Sequence, residues 1–115
     1  NYESVLFINN FAKKQFQDKK IILILGFLFD KEHEKMLNIL VEFADKVFFT
    51  KPDSNKALIP SECLYENDFD GFEIIDDYRT AFDKAYEICD KDSVIIVTGS
   101  LYLVGNIRQY ILSSF

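Results

Sequence analysis

Four short apolar runs, none long enough for a helix of ordinary length, restrict the fold of this chain more than any other feature. They are Ile21-Ile22-Leu23-Ile24-Leu25, Val47-Phe48-Phe49, Phe72-Glu73-Ile74-Ile75 and Val94-Ile95-Ile96-Val97. Nearly continuous runs of β-branched and aromatic residues predict strands buried on both faces, as in a parallel sheet. Between them the period changes. Met36, Leu37, Leu40, Val41 and Ala44 fall on one helical face, and so do Tyr78, Ala81, Phe82, Ala85, Ile88 and Cys89. Val5, Ile8, Ala12 and Phe16 predict a first helix, and Leu103, Val104, Ile107 and Ile111 a last one. Asp30 and Asp77 stand at N-cap positions, where a carboxylate accepts the unpaired amide protons of a first turn. Pro60-Ser61-Glu62 opens a further short helix, and Pro52-Asp53-Ser54-Asn55 is turn chemistry.

Alternation of strands and helices at these lengths predicts an α/β three-layer sandwich with a mostly parallel sheet and right-handed crossovers. Residues 1–115 suit a single domain. A chain of this type normally opens with a strand, whereas this one opens with a helix at Asn1, so a missing first strand is expected. An incomplete sheet is in turn expected to expose an edge and to self-associate.

Composition removes several classes of function. Hydrophobic residues at 49% and charged residues at 28% describe a chain that can bury a core, which argues against disorder. A net charge of −6 disfavours binding to a nucleic-acid backbone. The longest apolar run, Ile21 to Phe29, has nine residues, far short of the roughly 18 that span a membrane. No secretory signal opens the chain. Cys63 and Cys89, with one His in the whole sequence, match no zinc, redox or disulfide spacing, and they read as small buried hydrophobes in a reducing, cytoplasmic setting. No metal site is expected.

In an open parallel sheet, ligands collect beyond the carboxyl ends of the strands. Three segments lie there: Gly26-Phe27-Leu28-Phe29-Asp30-Lys31-Glu32, Thr50-Lys51-Pro52-Asp53 and Thr98-Gly99-Ser100. The last is the sharpest. Gly99 permits a tight strand-to-helix turn, and Ser100 sets a hydroxyl at a helix N-terminus, where free amides and the dipole favour an anion. From spacing alone Ser100 reads first as a plain helix cap. Lys31 adds a cation at the same edge of the sheet, or is simply solvated, and Asp30 reads as a cap rather than a metal ligand. No GxxxxGK[ST] or GxGxxG loop occurs, so the chain shows no nucleotide site of its own.

The same residues carry a family resemblance. Ile22 to Glu32 (ILILGFLFDKE) and Val97 to Gly105 (VTGSLYLVG) look like two motifs of the folylpolyglutamate synthase/dihydrofolate synthase family, and Val47 to Ala57 (VFFTKPDSNKA) is similar to a third. Lys56 stands where that family usually has Arg, and Glu32 where it has a second Asp. The resemblance implies a Rossmann-like C-terminal domain of a Mur ligase superfamily enzyme, with a preceding motif that would end at Asn1. It further implies an ATP-dependent ligase of folate metabolism that adds L-glutamate to folate or dihydropteroate through an acyl phosphate. ATP and Mg²⁺ would be bound mainly by a central domain outside this chain. Ser100, Lys31 and Asn1 would contact glutamate, supported by Asp30, Thr98 and Gly99. A peptidoglycan Mur ligase domain is an alternative. So is a free-standing flavodoxin-like or receiver-like module, for which Asp76-Asp77 after the third strand would supply an acidic pair.

Overall fold

The computed structural model describes residues 2–29, 33–62 and 71–115. Its elements, in chain order, are helix α1 (Tyr2–Gln15), strand β1 (Lys20–Gly26), helix α2 (His33–Val41), strand β2 (Lys46–Lys51), a 3-10 turn (Pro60–Glu62), strand β3 (Phe72–Asp77), helix α3 (Tyr78–Ile88), strand β4 (Ser93–Gly99) and helix α4 (Leu101–Ser114). All four predicted strands form, and they pair in parallel in the order β3-β2-β1-β4. Every predicted helix forms too, including the short turn at Pro60.

The side-chain period of two divides β1 and β2 between two cores. Ile21, Leu23, Leu25, Val47 and Phe49 pack with Ala12 of α1 and with Met36, Leu37 and Leu40 of α2. Ile22, Ile24 and Phe48 face the other way, onto Ala81, Phe82 and Ala85 of α3 and Leu103 and Ile107 of α4. The sheet is thus covered on both sides, and the three-layer expectation holds. Burial on both faces, however, holds only for the two inner strands. β3 and β4 form the edges, and most of their residues are half-buried. An apolar run reports that a strand is covered above and below but not whether it has a neighbour on each side. Cys89, expected to be buried, is only half-buried, against the α3/α4 core, and Cys63 lies outside the described residues.

Local chemistry sets the ends of the elements. Asp77 caps α3 as predicted, accepting from the Arg79 amide at 2.9 Å. The turn into β4 is held by Asp90, whose carboxylate accepts from the Ser93 hydroxyl at 2.9 Å and the Asp92 amide at 2.8 Å. The Ser93 bond, first among several causes, keeps the Asp90 carboxyl below its usual value. Asp30, the predicted cap of α2, lies outside the described residues. Among the described residues no helix is long and apolar enough to cross a membrane.

The order β3-β2-β1-β4 reverses direction between β1 and β4. The two chains leave these neighbouring strands toward opposite faces, opening a crevice at their carboxyl ends. Register places Gly26 of β1 directly beside Gly99 of β4. A Cβ on Gly99 would come within 2.3 Å of the Gly26 carbonyl oxygen, and Gly99 holds φ at +109°. A Cβ on Gly26 would meet the Thr50 carbonyl oxygen at 2.6 Å and Pro52 Cδ at 2.9 Å. Gly105, inside α4, has nothing within 4 Å of its Cβ position. Gly99→Ala is therefore expected to destabilise the fold by about 2 kcal/mol or more, and Gly26→Ala to act in the same direction. Gly105→Ala should stabilise it by about 0.5–1 kcal/mol. Urea midpoints of the three variants check the signs. Because the Asp90 carboxyl is held low, its contribution is present above the unfolded-state value and lost as pH falls through the folded one. Asp90→Asn should flatten acid unfolding in that window, read by circular dichroism.

Candidate functional site

Two backbone turns and one loop build the crevice at the β1/β4 switch point. After Gly26 the chain runs on as Phe27-Leu28-Phe29, and this segment is fastened to the loop that follows β2. The Phe29 amide donates to the Lys56 carbonyl at 2.8 Å, the Leu58 amide donates to the Phe27 carbonyl at 2.8 Å, and Leu28 bridges Ala57 antiparallel. The segment flagged after β1 is thereby stitched to Lys56–Leu58, a few residues beyond the segment flagged after β2. The loop after β2 is also tied to α4, since the Asp53 amide donates to Asn106 Oδ1 at 2.8 Å.

On the opposite wall, β4 ends in buried Thr98 and in Gly99, and Ser100 begins α4. Ser100 is the N-cap. Its Oγ accepts from the Tyr102 amide at 3.1 Å, its carbonyl accepts from the Val104 amide at 3.1 Å, and the residue is only 7% exposed. A hydroxyl that accepts a cap bond still has its own proton to donate. The positive end of α4 points the same way.

A cleft of about 430 Å³ lies between these walls, lined by Phe27, Leu28, Phe29, Met36, Gly99, Ser100, Leu101 and Tyr102. No charged side chain is among them. Phe29 and Leu101, 78% and 88% exposed, form an apolar rim. A second, smaller cleft of about 220 Å³ opens at the ends of β2 and β3, with Lys51, Asp53, Asp76, Asp77 and Arg79 among its lining residues. Its acidic pair is already used. Asp76 accepts from the Ser61 amide at 3.0 Å and from the Ser61 hydroxyl, and Asp77 caps α3. That leaves the receiver-like alternative without a free acidic pair at this position.

Of the residues named from sequence, the structure places Gly99 and Ser100 in the lining of the larger cleft, with Thr98 buried just before them in β4 and not among the lining residues. Asn1, Asp30 and Lys31 lie outside the described residues. Met36 and Asn106 were missed. Met36 read only as a core position on the α2 stripe, and the Asn106 contact joins residues 53 positions apart, which no local pattern announces. Among the described residues no group of three His, Cys, Asp or Glu side chains could hold a metal. The α4 N-terminus is capped by Ser100 and rimmed by apolar side chains. Among the described residues there is accordingly no group that would hold the Mg²⁺ of an ATP complex.

Comparison with known proteins agrees with this geometry. Residues 1–101 match the family model described as the Mur ligase, glutamate ligase domain. Among solved structures, Escherichia coli FolC in complex with DHPP and ADP superposes with a TM-score of 0.85 at 17% identity, covering 98% of this chain and 27% of that one. A bifunctional folylpolyglutamate synthase/dihydrofolate synthase from Yersinia pestis, complexed with AMPPNP and Mn ion, gives 0.79 at 20% identity, covering 97% and 27%. A further bifunctional synthase structure, with Mn, AMPPNP and L-glutamate bound, gives the same TM-score, identity and coverage. At such identities the likeness is one of fold, and the chain spans about a quarter of the length of these relatives. No curated protein matches the sequence significantly. At the cap, Ser100→Ala should cost about 1 kcal/mol and Ser100→Gly only a few tenths, measured by urea unfolding.

Proposed function

Because this chain belongs to the Mur ligase, glutamate ligase domain family, we propose that residues 1–115 form one domain of an ATP-dependent acid–amino-acid ligase, the domain that receives the incoming amino acid. The specific reading is the folylpolyglutamate synthase/dihydrofolate synthase type, in which the amino acid is L-glutamate and the acceptor folate or dihydropteroate. The observation that carries it is the placement of Ser100. It is buried, it caps α4, and it faces the cleft at the β1/β4 switch point. The likeness of fold to synthases of that name, one of them with L-glutamate bound, supports the choice of amino acid.

In this reading the nucleotide, held elsewhere in the longer enzyme, activates the acceptor carboxylate. The residues here do the rest of the positioning. A carboxylate of glutamate sits at the α4 N-terminus and accepts the Ser100 hydroxyl proton, the strongest kind of bond this cleft can offer a ligand. Lys31 and Asn1 add contacts from segments that follow β1 and precede α1, supported by Asp30, Thr98 and Gly99. The amino group points out of the cleft toward the acyl phosphate; after losing its ammonium proton to solvent it would attack the acyl carbon, forming the amide bond as the carbon–oxygen bond to phosphate breaks and phosphate leaves. Phe29, Leu101 and Tyr102, exposed at the rim here, would exclude water that competes with the amine once the rest of the longer enzyme closes over them.

Two measurements test this. The isolated 115-residue chain should show no ATP hydrolysis or glutamate ligation, and measured turnover by it would sink the domain reading. In the longer enzyme, Ser100→Ala should raise the KM for glutamate roughly tenfold or more, the loss of a hydrogen bond to a charged group, with the KM for ATP nearly unchanged. A glutamate KM equal to wild type would leave Ser100 a helix cap alone.

A further inference from the structure

Helix α4 carries one wall of the larger cleft and fastens the other. The first wall is its own start, Ser100-Leu101-Tyr102. The second, Phe27-Leu28-Phe29, belongs to the chain leaving β1 and is held through an intermediary, the loop after β2. That loop is closed on itself by short-range bonds. The Ser54 amide donates to the Pro52 carbonyl at 3.0 Å, the Ala57 amide to the Ser54 carbonyl at 3.1 Å, and the Lys56 amide to Ser54 Oγ at 3.2 Å. A restraint applied at Asp53 is therefore felt at Lys56 and Ala57.

The far end of the loop is stitched to the wall by two backbone hydrogen bonds of 2.8 Å, at Phe29 and Leu58, and by the Leu28–Ala57 bridge. Its near end is set against α4 in two ways. Pro52 is fully buried, and a Cβ on Gly26 would meet both Pro52 Cδ at 2.9 Å and Leu103 Cδ2 at 3.2 Å. Three residues beyond Leu103, on the same side of the helix, Asn106 Oδ1 accepts from the Asp53 amide at 2.8 Å. Asn is one of the weaker helix formers, and here its side-chain carbonyl bonds to another segment instead of to its own backbone. Asn106 is half-buried and does not line the larger cleft, so it acts on an occupant only through the loop.

We propose that Asn106 is a positioning residue for the amino-acid site: by holding Asp53 it sets the wall Phe27-Leu28-Phe29 at a fixed separation from Ser100. Both walls then ride on α4, one by covalent continuity and one by this hydrogen bond, and the cleft keeps its width when the helix shifts. The identity of the occupant rests on the ligase reading; the tie between α4 and the wall does not.

Two variants separate the bond from the shape of the side chain. Asn106→Leu keeps the size and loses the acceptor, whereas Asn106→Asp keeps an acceptor oxygen. In the 115-residue chain, NMR order parameters of the Asp53, Phe29 and Leu58 amides should fall together in Asn106→Leu, from about 0.85, the value of rigid backbone, toward the mobile range. The buried Ile24 amide in β1 should keep its value, and Asn106→Asp should match wild type throughout. No fall, or a fall confined to Asp53, would overturn the proposal, because the restraint would then end at the loop. In the longer enzyme, Asn106→Leu should raise the KM for glutamate about three- to tenfold, the loss of one hydrogen bond, with the KM for ATP unchanged and Asn106→Asp restoring both. A glutamate KM raised by Ser100→Ala but not by Asn106→Leu would overturn the proposal and spare the ligase reading. If neither variant moves it, the amino-acid reading falls, and the order parameters alone decide whether Asn106 holds the wall.

Discussion

The approach of Gly26 to Gly99 governs the open end of this molecule. The sheet is parallel and its order turns back at β1/β4, so the two strands that diverge there must first run side by side to their last residues. A side chain on either glycine would meet backbone, and backbone cannot swing aside as a rotamer can. With both positions bare, Pro52 fits under Gly26, the turn into α4 takes its positive φ, and Ser100 is delivered to the cleft as a cap. The contact thus fixes where the α4 dipole points, and it does so through main chain alone.

Much of this was legible in the amino-acid order. The runs at 21–25 and 47–49 mark the two inner strands because a strand buried above and below cannot alternate. Asp77 and Ser100 announce their caps because a short acceptor before a helical stripe has one obvious use, and both make that bond. Lateral neighbours were less visible. The apolar pattern of β4 matches that of β1, although β1 has a partner on each side and β4 on one. Periodicity encodes cover by helices, whereas strand order follows from long-range pairing. Asn106 and the Leu28–Ala57 bridge escaped for the same reason, since each joins segments that are adjacent only after the sheet has assembled.

The distribution of charge bears on how the proposed site would work. The chain is acidic overall, at −6, and none of the residues described as lining the larger cleft carries a charge. An anionic amino acid is therefore drawn in by no broad positive field. Its attraction would be local, from the α4 terminus and the Ser100 hydroxyl within the cleft, with Lys31 as the proposed cation. Apolar walls strengthen such short-range bonds by keeping the local dielectric low, but they also raise the cost of removing a carboxylate from water.

Those opposing terms set a scale. A helix terminus contributes about 0.3–1 kcal/mol toward an anion, up to about 2 when partly buried. A hydrogen bond to a charged group contributes about 1.5–3 kcal/mol. Together they reach about 2–5 kcal/mol, whereas a 1 mM dissociation constant requires about 4.1 kcal/mol. A glutamate held by these two elements alone would bind at about 0.2 mM at the very best and far more weakly at the low end, and desolvation would weaken it further. Useful affinity on the ligase reading must therefore come from walls that the described residues do not supply. The natural places for them, on the reading proposed, are Lys31 and Asn1, together with the rest of a longer enzyme closing over the exposed rim at Phe29 and Leu101. A half-built cleft with one well-oriented polar anchor fits the work of a domain that completes its site only when closed.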